Sequence, residues 1–169
     1  MNDLAKAFVG HLKRLADPAT GNTGAVAALR RSLAFQPGSY AQSFPYVEPF
    51  VSKEGWPRKT LYLVAGLFAE HQRHLPNRPF ARALAELRQE KDRESLERRF
   101  LALLDADEDQ IAYRMRQNVR LIADRPFDWE ALTKDLMSWF HPDRFVQVRW
   151  ARQYYGGIDS EKQQKEEEV

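Results

Sequence analysis

Apolar residues recur at three- and four-residue spacing along almost the whole chain, and no segment sustains the alternation of a half-buried strand. A chain with that pattern carries its hydrophobic surface as stripes, which can only be buried helix against helix. The spacing predicts an all-α fold of about eight helices, near 3–16, 24–35, 57–74, 79–89, 94–104, 109–123, 129–140 and 142–155. The punctuation agrees. Pro57 and Pro142 sit where a first helical turn accepts proline, and Asp92 or Glu94, Asp107 and Asp128 stand at N-terminal positions. DPATGNTG (17–24) reads as a loop, and Gly156-Gly157 ends the last helix.

Two stretches break the pattern. Residues 36–56 form a long connection rich in proline and aromatics, with room for short helical turns, and they divide an N-terminal part (1–56) from a C-terminal helical bundle (57–157). Residues 158–169 form a charged tail expected to be solvated. With 169 residues the chain can bury a core without staples, as one domain or two small helical subdomains. It has no cysteine, which excludes disulfides and thiolate chemistry. No run approaches the roughly 20 apolar residues of a membrane span, and the first residues open an amphipathic segment unlike a signal peptide. The expectation is a cytoplasmic protein with no membrane contact.

Five acids against two lysines in the tail leave residues 1–158 at +5 within a net charge of +2, and 18 of the 26 basic residues are arginine. Their placement matters more than their number. In AVAALRRSLAF (25–35) the apolar stripe is Val26, Leu29 and Leu33, which puts Arg30 at its margin and Arg31 on the outward face. No acid occurs between Pro18 and Val47, so neither has a carboxylate three or four residues away. In the helix over 109–123, Arg116 and Arg120 form a like-charge i,i+4 pair that opposes helix formation unless something outside the helix needs them. Asp124 could pair with Arg120, whereas Arg114 and Arg116 have no local acid. Glu94 accounts for Arg98, but nothing local accounts for Arg99. Arginine's planar fork suits phosphate, so the recurrence of unpaired arginines points toward a nucleic-acid backbone, with solvated surface cations as the plain alternative.

Enzyme readings fare poorly. Glu70, His71 and His74 in EHQRH could share a metal, but no further histidine or cysteine cluster completes a ligand set, and His71 continues the apolar face of Val64 and Phe68. DADEDQ (105–110) lacks the glycine and spacing of a calcium loop and reads as negative charge at a helix N-terminus. No phosphate loop or nucleophile elbow occurs. No catalytic residue, metal or cofactor is expected. Tyr40, Phe44, Tyr46, Phe50 and Trp56 either stack unpaired bases or pin the long connection to the helices, the second reading being favoured; Trp129, Trp139 and Trp150 belong to the core.

The order of LRRSL (29–33), an aromatic stretch ending at Trp56, AEH (69–71), FARAL (80–84), LERRFLALLDAD (96–107), YRMR (113–116) and DWEALTKDLMSW (128–139) resembles the CasB family, the small subunit of the type I-E CRISPR surveillance complex, Cascade. The resemblance covers residues 1–155 and leaves the tail unassigned. It implies a non-catalytic, all-helical protein of two subdomains. It also implies the backbone and large Cascade subunits, a second copy of the chain, and the R-loop of crRNA-paired target DNA as partners. By the same resemblance Arg30, Arg31, Arg82, Arg98, Arg99, Arg114 and Arg116 fall on the basic motifs, either Arg114 or Arg116 being the functional one of its pair, and Arg120 joins them as a candidate. The alternatives are a free-standing helical nucleic-acid-binding regulator and a structural adaptor whose arginines meet acidic protein surfaces.

Overall fold

The computed structural model describes residues 2–90 and 92–156, so the charged tail lies outside the described residues. Among these residues there are nine α-helices and no strand. They are α1 (Asn2–Leu15), α2 (Thr23–Arg31), α3 (Phe44–Val47), α4 (Trp56–Glu70), α5 (Phe80–Glu86), α6 (Arg93–Leu104), α7 (Ile111–Leu121), α8 (Trp129–Met137) and α9 (Phe145–Tyr155). The all-α expectation holds.

The centre is α4. Its run TLYLVAGLFA is apolar on every side, and Thr60 to Ala69 are all buried. A helix with that pattern has to be wrapped by others; α1, α2, α7 and α8 pack on it, while α5 pairs with α9 and α6 with α7. One core cluster runs from Phe8 to Tyr154. Trp129, Trp139 and Trp150 are among its largest members, each no more than 1% exposed. Glycine matters once here. A Cβ on Gly66 would come within 2.6 Å of Leu33 Cδ2 and 2.8 Å of Leu33 Cγ, so the missing side chain is what lets the turn after α2 lie on α4.

The long connection is tied down by its aromatics. Residues 41–50 coil into a 3-10 turn, α3 and a second 3-10 turn. Phe50 packs against Phe8 and His11, His11 Nε2 meets the Tyr46 carbonyl at 2.8 Å, and the Trp56 indole donates to the Leu136 carbonyl at 2.6 Å. Asn22, Asp92 and Asp128 cap α2, α6 and α8 through side-chain oxygens. Asp107 instead accepts from the backbone of Asp109 and Gln110 in the turn that feeds α7.

Several predicted boundaries move. The helix expected over 57–74 ends at Glu70, because His71 leaves helical geometry and donates through Nε2 toward the carbonyls of Ile122 and Arg125, 2.9 and 2.7 Å away. Residues 32–34 and 87–89 tighten into 3-10 turns. Pro142 does not begin a helix: α8 stops at Met137, and α9 starts only after Arg144, which adopts φ +52° and donates to the Leu104 carbonyl at 2.6 Å. That bond closes an orphan carbonyl at the end of α6 and holds Arg144 in an unfavourable backbone conformation.

His74 shows how loop and helix interlock. Its Nδ1 accepts from the Trp129 backbone N–H at 3.1 Å, and Leu75 donates to the Phe127 carbonyl at 3.0 Å. Burial pushes the imidazole below its ordinary value; Asp128 opposes the shift and Lys13 adds to it. A depressed histidine binds fewer protons folded than unfolded, so its contribution is present above about pH 6.5 and is lost as pH falls through the folded value. Thermal melts at pH 7.5 and pH 5 should show a smaller loss of stability in His74→Leu than in the parent. An equal loss in both would remove His74 from the pH response.

Candidate nucleic-acid interface

Five of the arginines singled out above sit on α2 and α7, and the fold draws three of them to one spot, the C-terminal end of α4. Arg30, at the margin of α2's apolar stripe, reaches across and donates to the Ala69 carbonyl at 3.2 Å. That carbonyl belongs to the last turn of α4, where backbone acceptors lack helical partners and the helix dipole is negative. From the other side, Arg116 and Arg120 both donate to Oε1 of Glu70, at 2.8 and 2.9 Å.

This resolves the like-charge pair on α7. The acid that tolerates Arg116 and Arg120 is Glu70, far earlier in sequence, and Asp124 is not Arg120's partner. Burial raises the Glu70 carboxyl, but the hydrogen bonds from Arg116 and Arg120 outweigh it and hold the group below its usual range. Two guanidiniums therefore share one carboxylate, with a third held by the carbonyl of the preceding residue, and positive charge remains in excess. The Glu70 side chain is 16% exposed and Arg120's is 60% exposed, so the acid is largely hidden while an arginine faces outward. Among the described residues Glu70 Oε2 and Arg116 Nε are buried and without partners, so the acid meets both arginines through a single oxygen.

The remaining candidates lie around this point or apart from it. Arg31 ends α2 and is exposed. The Arg114 guanidinium lies 5.4 Å from the centroid of the Tyr113 ring. Buried Asn118 joins α6 to α7, its Nδ2 donating to the carbonyls of Arg99 and Arg114 at 3.3 and 2.8 Å, and so sets those two arginine-bearing turns side by side. Arg98 is exposed on α6, and among the described residues no ion pair joins it to Glu94, against the local pairing expected from sequence. Arg82 belongs to α5, on the α5–α9 pair, and is already partnered.

Beside Arg116 a cleft of about 350 Å3 opens between the turn after α2 and the start of α7. Residues 32–37 form one wall, Asp109, Ala112 and Tyr113 the other, and Tyr62 and Leu63 the floor. The metal reading of EHQRH loses its ligands to other duties: Glu70 holds arginines, His71 is buried against carbonyl groups, and His74 accepts from α8. Among the described residues no three His, Cys, Asp or Glu side chains gather as a metal would need, and no helix is long and apolar enough to cross a membrane.

The family model for CRISPR-associated protein Cse2 matches residues 25–155. The chain belongs to the Cse2 family. A Cse2 protein of Thermus thermophilus is 49% identical over 164 residues, 95% of each chain. The crystal structure of CasB from Thermus thermophilus superposes with a TM-score of 0.80 at 47% identity, covering 90% of this chain and 98% of that one. The Cse2 fold also matches a chain of a CRISPR RNA-guided surveillance complex, with a TM-score of 0.79 at 23% identity over 97% and 98% of the two chains. The resemblance to CasB read from the motifs is thereby shown.

Sequence reasoning missed Glu70 as the organiser of the site. Its signal was an acid closing a buried helix, in a chain whose Arg114 and Arg116 lacked a local one.

Proposed function

We propose that this Cse2-family chain is a non-catalytic subunit of a crRNA-guided CRISPR surveillance complex. It holds the R-loop through sequence-independent arginine contacts to the backbones of target and displaced DNA, beside other Cascade subunits and a second copy of itself. The observation that supports it is the convergence of Arg30, Arg116 and Arg120 on the end of α4, where one carboxylate offsets only part of their charge. Guanidiniums anchored by the core are suited to charge-assisted bonds with phosphate, and such contacts position a polymer without reading its bases. The likeness to a surveillance-complex chain supports the assembly.

Copurification with a tagged backbone subunit and crRNA tests the assembly, and a salt titration tests the contacts. Log affinity should fall linearly with log salt, with the same slope for a target and its shuffled sequence. In the isolated chain, discrimination between the two by more than about tenfold, roughly 1.4 kcal/mol, would point instead to a base-reading regulator.

A further inference from the structure

Two large rings on the surface share the cleft beside Arg116: Phe35, 53% exposed, and Tyr113, 64% exposed. Singly, an exposed ring needs no explanation, but these two come from segments far apart in sequence and line the same space. Phe35 is also held in place. Tyr40 stacks on it with centroids 4.9 Å apart and planes within 3°, and the turn that carries them is pinned where Arg58 donates to the Gly38 carbonyl at 3.1 Å. Gly38 sits at φ +86°, and a Cβ there would meet the Arg58 guanidinium, so this turn is built around that contact.

We infer that the cleft seats an unpaired nucleobase of a bound strand, stacked on the exposed rings of Phe35 and Tyr113, while the strand's phosphates lie on the neighbouring arginines; this rests on the nucleic-acid reading above. The volume falls in the range of small-ligand sites, roughly 300–1,000 Å3. Charge selects the occupant. Arg116 lines the cleft and Arg31 flanks it in sequence, which suits a polyanion, whereas Asp109, just before α7, repels phosphate and so favours a strand whose backbone lies toward the arginines. Stacking on aromatic faces tolerates every base, so the site adds affinity without adding sequence preference.

The test uses the full chain and two probes of equal length, oligo-dT and an abasic strand with the same phosphates, each titrated at several salt concentrations by fluorescence anisotropy. The parent should bind oligo-dT more tightly. Phe35→Ala with Tyr113→Ala should weaken oligo-dT binding by about fivefold to a hundredfold, leaving abasic binding and both salt slopes unchanged. Phe35→Trp should keep the preference. Both replaced side chains are exposed, so circular dichroism should show the parent's helicity. Equal binding of the two probes by the parent, with a steep salt slope, overturns the base seat and leaves the arginine reading standing. Absence of binding to either probe at low salt defeats both. A double variant that keeps its oligo-dT preference but fails to enter the complex makes the cleft a protein contact and overturns the inference.

Discussion

Trp129→Ala should lower the melting temperature by about 6–20 °C. Trp129 is fully buried, edge-on to Phe68 and tilted against Phe127 and His71, and its indole N–H donates to the Arg73 carbonyl at 2.9 Å. Truncating such a ring removes its transfer energy and leaves a cavity that the surrounding helices fill only in part, about 3–5 kcal/mol. For a chain of this size each kcal/mol moves the midpoint by about 2–4 °C. Trp129→Phe separates the parts, since it keeps most of the ring and leaves the Arg73 carbonyl without its donor, a loss of about 1–2 kcal/mol. If Trp129→Ala melted within about 2 °C of the parent, the packing of α8 on α4 would not be what holds the bundle together.

The second large effect concerns DNA. Replacing Arg30, Arg31, Arg99, Arg114 and Arg116 together by glutamine should leave the helical fold and complex assembly nearly intact. Glu70 keeps Arg120, and the Ala69 carbonyl keeps the Gln72 side chain, 3.1 Å away. The loss should fall on target binding. Each phosphate contact removed lowers the salt slope by about 0.9, and five of them weaken binding by about three orders of magnitude at physiological salt. Targets of different sequence should suffer alike. A complex that assembles normally and holds target DNA like the parent defeats the proposal. Failed assembly with unchanged affinity in whatever complex forms would favour the adaptor, with the arginines on acidic protein surfaces.

Much of the fold was legible because helical periodicity is a local signal. The apolar run of α4, the tryptophans of the last helices and the caps at Asp92 and Asp128 all depend on residues within a few positions of one another. The ends of helices were less legible, because tertiary partners set them. His71 leaves α4 to reach the end of α7, and Arg144 takes a left-handed conformation to reach the end of α6. The candidate site was half legible for the same reason. A missing local acid can be read along a helix wheel, so Arg30 and Arg116 stood out. The long-range acid that holds Arg116, and the neighbour that failed to hold Arg98, could be found only once helices distant in sequence were side by side.

The join between α4 and α7 also limits how this chain can change in length. Glu70 and His71 are consecutive, and they grip α7 at Arg116 and at Ile122, the residue that closes its C-terminal end, so two adjacent positions where one helix ends are matched to a fixed interval along another. One residue inserted between Arg116 and Ile122 would turn everything beyond it by about 100° and advance it by about 1.5 Å, so only one of the two grips could survive. Homologues should therefore gain and lose residues in the stretch 36–56 or around 88–92, and keep this interval constant.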